Sequence, residues 1–484
     1  MALAQLAAYT ERYLSRLAGR NLYYLGQIRK CLVAFVNHLK SEPNVAQGMT
    51  SPAELLIQLK LDNINLFKIL RYLERSRLAQ KLLGFVALTT NQTEAGSVED
   101  DGQAISKHVS PLSLVHSFLE KLTSTSKEGK VVTDWPKDSR SKTEKYPTLR
   151  YVLLHPSAQF QNILDEAYAV ALVGGTLSPF AHVAAELLGI NYVEQAAKAD
   201  SVMKSSTKSS ASMVSPRLTA FTCDHVVPSS NVLLECLSVG PTNCKLDFRY
   251  QTRSSNTACD EIGRALVEVC RIVPSGIVVF LQSYTYEAHL VHRWKETGLL
   301  QRLQRHKTVH REPKSSQQVE QALEAYSRDA KSSGALLLSV VGGKMSEGIN
   351  FADEMARCVM VVGLPYPDIT DPELKEKMSA MDAAAARNKS SISGQSYYQN
   401  LCMRAVNQSV GRAIRHAQDY AAIVLADGRY SSDPRIASGL PQWLRRGCVA
   451  KEDKSFDGFV ERLGAFFHEK NTRQRSVIAT PDKD

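Results

Sequence analysis

The chain has 484 residues, 44% of them hydrophobic, with 59 Lys and Arg against 49 Asp and Glu for a net charge of +10. That length allows two or three domains with cores of their own, and the basic excess favours a polyanionic partner such as nucleic acid. No run of about eighteen apolar residues occurs, which argues against a membrane span, and no small-residue cleavage site follows the first residues, which argues against a secretory signal.

Residues 1 to about 90 predict helices. Leu14, Leu17, Leu22, Leu25, Ile28, Leu32 and Phe35 recur at steps of three to four, then Leu55, Leu59, Ile64, Leu66, Phe67, Leu70, Leu73 and Leu78 do so again after a polar break at Ser41–Pro52. Residues 91–110 and 124–148 are polar and predict loops on either side of a helix at about 111–123. Ala169–Gly174 is a short apolar run that predicts a buried strand. Residues 198–216 are rich in Ser and Lys and predict a mobile stretch. From about 230 the pattern changes: strand candidates at Ile277–Leu281, Ala335–Val341, Val359–Leu364 and Ala421–Leu425 alternate with helices near 258–272, 285–305, 316–330 and 399–416. Residues 370–396 predict an exposed helix and a loop. That alternation predicts βαβ units, a parallel sheet flanked by helices, and so an α/β fold.

The nine cysteines are dispersed and none forms a C-x-x-C pair. They predict reduced thiols and neither a zinc nor an iron–sulfur site; Cys223 with His225 lacks further ligands at usable spacing.

Three segments carry chemistry. Asn407-Gln408-Ser409-Val410-Gly411-Arg412-Ala413-Ile414-Arg415-His416 has Q-x-x-G-R-x-x-R spacing, which on a helix would project Arg412 and Arg415 from one face. Two guanidinium forks suit a polyphosphate, whereas most Arg pairs at this spacing are solvated helix ends. The strand Ile277–Leu281 runs into Gln282-Ser283-Tyr284, placing hydroxyls at a sheet edge where a phosphate could sit. Leu336–Val341 runs into Gly342-Gly343-Lys344-Met345-Ser346-Glu347-Gly348-Ile349-Asn350-Phe351. This is no phosphate loop of the G-x-x-x-x-G-K-[ST] kind, because Leu338 and Met345 stand at the wrong positions. Its glycines would still let backbone amides approach a phosphate closely.

In this order the segments resemble motifs IV, V and VI of superfamily 2 helicases, and Gly174-Gly175-Thr176-Leu177-Ser178-Pro179 resembles motif III. Val361-Val362-Gly363-Leu364-Pro365-Tyr366-Pro367, Asp62–Lys68 and Arg71–Ser76 are similar to the XPD-like iron–sulfur DNA helicases, the group that includes FANCJ, and within it Val340–Asn350, Asn400–His416 and the stretch around Cys223–Pro228 resemble the chromosome-loss (sister-chromatid cohesion) helicases. The resemblance implies a nuclear, ATP- and Mg²⁺-dependent helicase moving 5′ to 3′ on single-stranded or forked DNA, with replication or cohesion proteins as partners. It implies catalytic roles for Gln408, Arg412 and Arg415, nucleotide contacts from Gly343, Glu347, Gly348, Asn350 and Gly411, and DNA contacts from Thr176, Ser283, Tyr284 and Lys344. No metal ligand is assigned.

The family's Walker A lysine, D-E-A-H segment and cluster cysteines have no counterpart here. Asp165-Glu166-Ala167-Tyr168 is a decoy: the apolar strand comes after the acidic pair, with no room for a crossover, so Asp165 and Glu166 predict a helix end. The chain therefore resembles the carboxyl-terminal half of such a helicase. The expected layout is an arch-like helical insertion remnant at 1–145, the end of a first RecA-like domain at 146–215 and a second RecA-like domain at 216–484. Two origins are open: a truncated gene model or isoform of a longer helicase, or a short nucleic-acid- or partner-binding module without ATPase activity. Phosphoryl transfer needs the Walker A lysine and an acid on Mg²⁺, so the chain alone is expected to be inactive.

Overall fold

The computed structural model describes residues 1–41, 49–93, 110–124, 128–135, 146–154, 156–205, 210–214, 217–223, 227–345, 349, 351, 353–388, 392–441, 443–445 and 455–478. They form two compact units, Met1–Pro156 with Thr370–Ala380, and Ser157–Ile369 with Met381–Asp484.

The first unit is mainly helical. Its helices include Ala2–Arg12, Gly19–Lys40, Pro52–Gln58, Leu66–Ser76, Leu78–Thr93 and Pro111–Leu122. They bury Leu25, Ile28, Leu32, Leu55, Leu70 and Leu73, the residues whose three-to-four spacing predicted helices. The polar break has a physical basis in a capping box: Ser51 Oγ accepts the Glu54 amide at 3.2 Å, and Glu54 Oε2 accepts the Ser51 amide at 2.8 Å, with Pro52 at the first helical position. One feature departs from the predicted loops. β1 (Met49–Thr50), β2 (Gly129–Asp134) and β3 (Thr148–Leu153) form an antiparallel sheet. The short run Val131–Val132 lies within a polar stretch, and only its burial against the helices reveals it as a strand.

The second unit is built on a six-stranded sheet in which every neighbouring pair is parallel. Its strands are β6 (Val232–Leu237), β7 (Gly276–Leu281), β8 (Thr308–Arg311), β9 (Ala335–Val340), β10 (Cys358–Val362) and β11 (Ala421–Ala426), in the order β6-β11-β10-β7-β9-β8. The four central strands are buried along their whole length, which is why each reads as an apolar run, interrupted only by Ser339 in β9. Side chains alternate between the faces. In β7, Ile277, Val279 and Leu281 belong to the core cluster that includes helices Asn256–Ile272, Tyr284–Glu296 and Phe456–Ile478, while Val278 and Phe280 belong to the cluster that includes helices Val319–Lys331 and Gly394–Val410. The α/β class predicted from the alternation of strands and helices is the one observed.

Several boundaries move. The helix expected at 285–305 is two, broken where Gly298 takes φ 74°. The expected strand at 169–174 does not form; Val173 is 94% exposed, and no described strand offers this segment the ladder partner its backbone requires. The Ser/Lys-rich stretch contains the end of helix Ile190–Ser205 and β4 (Ser210–Val214), which pairs antiparallel with β5 (Thr219–Cys223). Helix Ser157–Glu166 ends at the acidic pair, in line with its reading as a helix end. Cys236 is disulfide-bonded, so the reading of all nine cysteines as thiols fails there, while the other seven described cysteines are free. No described helix is long and apolar enough to cross a membrane.

Candidate functional site

The carboxyl end of β7 leads directly into helix Tyr284–Glu296. Ser283 is extended (φ −165°) and its Oγ accepts the Tyr286 amide at 3.2 Å, capping the helix. The Tyr284 hydroxyl donates to Glu312 Oε1 at 2.6 Å. Burial, and then this bond to a carboxylate, push the Tyr284 phenol up to about 12. Gln282 Nε2 donates to the Phe248 carbonyl at 3.1 Å, and its Oε1 accepts from Arg253.

The loop after β9 is shaped by its two glycines for different reasons. Gly342 takes φ 70°, and a side chain at Gly343 would strike the Glu312 carboxylate. The Gly343 amide donates to the Val340 carbonyl at 2.8 Å and the Met345 amide to Glu312 Oε1 at 3.1 Å. These two amides are therefore engaged within the protein, where the sequence suggested amides open to a phosphate. Lys344 is exposed, with Nζ 2.8 Å from the Lys314 carbonyl. Glu347, Gly348 and Asn350 lie outside the described residues.

Helix Gly394–Val410 ends before the arginine pair. Gly411 closes it, its amide donating to the Asn407 carbonyl at 2.9 Å. Arg412 and Arg415 therefore stand in the turn beyond the helix, not on one helical face as the spacing predicted; the chain must leave the helix here to enter β11. Arg412 Nη1 donates to the Ile349 carbonyl at 2.7 Å. Gln408 is exposed on the last helical turn, and Arg415 is exposed with its amide on Asp419 Oδ2 at 3.2 Å.

Beneath this turn lies a buried ion pair. Arg357, 5% exposed, donates to Asp419 Oδ1 at 2.8 Å and to the Tyr420 carbonyl at 3.0 Å, and stacks 4.0 Å from the Tyr420 ring centroid. His416 Nε2 lies 3.0 Å from Asp353 Oδ1. Asp353, His416 and Asp419 bring ligand atoms within 4.8 Å of one another. Arg357 is bonded to one carboxylate and 3.9 Å from the other, so the chain supplies the positive charge itself. This is a poor metal site.

Thr176 is half-buried in the turn leading to Pro179. The segment that follows is tied to the helix before the arginine turn: Arg404 pairs with Glu186 at 3.3 Å, and His182 Nε2 lies 3.1 Å from Ser396 Oγ.

A helicase C-terminal domain model matches residues 266–447. Those residues are a helicase C-terminal domain. The chain is 38% identical to mouse ATP-dependent DNA helicase DDX11 over 91% of this chain and 51% of that protein. It is 38% identical to the DDX11 of Danio rerio (98% of this chain, 55% of that protein) and 33% identical to the CHL1 DNA helicase of Coccidioides immitis (99% and 53%). Its homologues are thus DDX11 and CHL1 DNA helicases, as the motif resemblance implied, and the chain spans about half the length of these curated relatives. A solved structure of S. tokodaii Xpd4 overlaps 91% of this chain and 68% of that one at 15% identity, with a TM-score of 0.45.

Within the helicase C-terminal domain, sequence reasoning missed Glu312, Arg357 and Asp353, and Asp419 lies three residues past the segment it singled out. Three of them had a faint signal. Glu312 is an acid between Arg311 and Pro313, Arg357 abuts an apolar strand, and Asp419 immediately precedes Tyr420 and β11. Only burial distinguishes these three from ordinary surface charges.

Proposed function

We propose that the chain forms the carboxyl-terminal motor portion of an ATP-dependent DNA helicase that moves 5′ to 3′ in replication, repair and chromosome cohesion in the nucleus. The observation that carries it is the Arg412–Ile349 hydrogen bond, which joins the arginine turn to the glycine loop while Arg415 stays exposed beside it. In this reading Gln408, Arg412 and Arg415 meet the γ-phosphate, and Gly343, Glu347, Gly348, Asn350 and Gly411 meet the rest of the nucleotide. Thr176, Ser283, Tyr284 and Lys344 meet single-stranded or forked DNA. Residues 1–145 are the helical insertion, 146–215 the end of the first motor domain and 216–484 the second.

Bound ATP with Mg²⁺ supplies the phosphoryl group whose transfer drives movement. The arginines fit a role in neutralising its charge. Asp353, His416 and Asp419 do not fit the Mg²⁺ role, because the Arg357 guanidinium already sits against both carboxylates. No C-x-x-C set fits an iron–sulfur cluster.

The absence of G-x-x-x-x-G-K-[ST] from these 484 residues favours a second reading, a nucleic-acid- or partner-binding module without turnover of its own. One experiment separates the two. The chain alone is expected to show no DNA-stimulated ATP hydrolysis. Joined to a segment carrying Walker A and D-E-A-H, it is expected to hydrolyse ATP in a manner lost on Arg412→Ala. A joined protein that binds DNA and never turns over supports the module. Turnover by the chain alone that Arg412→Ala abolishes refutes its incompleteness.

A further inference from the structure

Glu312 is the first residue past β8, and Pro313 follows it. Its amide donates to the Leu338 carbonyl at 2.9 Å, the last ladder bond on that edge. The β8–β9 pairing ends at Arg311, so no main-chain acceptor from β8 meets the Val340 amide. The Glu312 side chain takes over. Oε2 accepts the Ser339 hydroxyl at 2.6 Å and the Val340 amide at 2.9 Å. Oε1 accepts the Tyr284 hydroxyl at 2.6 Å and the Met345 amide at 3.1 Å. The residue is 7% exposed, so four donors converge on a buried carboxylate, where charge-assisted bonds are strongest.

Those donors come from three places: the first residue of the helix that follows β7, the end of β9 and the glycine loop. Two residues beyond Glu312, the Lys314 carbonyl accepts Lys344 Nζ at 2.8 Å. The short segment 312–314 thus holds the loop both at its floor and at its exposed lysine. The packing is close enough that any side chain at Gly343 would displace the carboxylate.

We infer that Glu312 is a positioning residue that locks the glycine loop to the start of the helix after β7, so that Lys344 and the Ser283–Tyr284 segment present one surface to single-stranded DNA. The DNA consequence rests on the function proposed above; the lock itself does not. Glu312→Gln keeps the size of the side chain and turns one acceptor into an NH₂ facing donors.

The test uses the whole chain, with amide hydrogen exchange for the lock and oligo-dT binding for its consequence. In Glu312→Gln, exchange at Val340 and Met345 is expected to rise at least tenfold while β10 and β11 amides hold. Oligo-dT affinity is expected to fall several-fold, and the salt slope by about one, as in Lys344→Ala. The double variant is expected to bind no more weakly than Lys344→Ala. Glu312→Asp is expected to regain part of both effects. Unchanged loop exchange in Glu312→Gln overturns the lock whatever the DNA does. Faster exchange with unchanged affinity and salt slope overturns the consequence. Wild-type chain that never binds oligo-dT removes the helicase reading and this consequence with it, and exchange alone then decides the lock. If Glu312→Gln does not fold, Ser339→Ala and Tyr284→Phe each delete one donor. Unchanged Met345 exchange in both overturns the lock.

Discussion

Arg412 donates through Nη1 to the main-chain carbonyl of Ile349 at 2.7 Å, a bond spanning 63 positions of sequence. It ties the turn after helix Gly394–Val410 to the loop after β9. That bond aims the guanidinium through a backbone oxygen, a group with no formal charge of its own.

Arg412 and Arg415 should therefore respond differently to substitution. In a protein completed with the Walker segments, Arg415→Ala is expected to abolish unwinding and leave single-stranded DNA binding within about twofold of wild type. Arg412→Ala is expected to lose turnover and also loosen the glycine loop, seen as faster amide exchange at Ile349. Loss of DNA binding in Arg415→Ala would show that the exposed guanidinium serves DNA rather than nucleotide.

The buried pair Arg357–Asp419 predicts an asymmetric mutant cycle. Asp419 is 1% exposed and also accepts the Arg415 and Tyr420 amides, at 3.2 and 2.9 Å. Removing one partner strands a buried charge, so Arg357→Met or Asp419→Leu is expected to cost about 3–5 kcal/mol. The double variant is expected to cost less than the sum of the two. Urea unfolding followed by circular dichroism measures it, and additivity would mean the two charges are not coupled.

Tyr284 predicts a pH effect with a definite sign. Its folded pKa, about 12, lies above the ordinary tyrosine value of 10.0. Its contribution to stability is thus fully present below pH 10 and is lost as the pH rises through 12, because the unfolded chain gives up the proton first. Wild type is expected to lose stability more steeply than Tyr284→Phe between pH 10 and 12. The tyrosinate absorbance missing from the variant should centre near pH 12. A missing component centred near 10 would mean that the hydroxyl is not held by Glu312.

The two loop glycines predict different failures. Gly342→Ala forces a left-handed backbone at φ 70° and is expected to cost roughly 1–2 kcal/mol, leaving the Glu312 bonds in place. Gly343→Ala pushes on the Glu312 carboxylate itself. It is expected to accelerate exchange at Met345 as well as lower stability. Equal exchange in the two variants would remove this distinction.

What the sequence determined by itself is whatever repeats locally. Ile277–Leu281 and Ala421–Leu425 are unbroken apolar runs, and Ala335–Val341 is broken only at Ser339, because central parallel strands are covered on both faces, so their positions were readable to within a residue or two. Helix Asn256–Ile272 was readable because its buried face recurs every three to four residues. The motif order was readable because each motif is contiguous. The tertiary structure decided everything that depends on partners distant in sequence. Whether 169–174 forms a strand depends on a neighbouring edge, and a six-residue run carries no record of one. Gln408, Arg412 and Arg415 share a helical spacing, yet the route into β11 ends the helix between the first and the other two. Glu312 and Asp419 read as ordinary surface acids until folding buries them among donors from three strands' ends and from the arginine turn. Burial and hydrogen-bond satisfaction belong to the whole fold, and no window of sequence contains them.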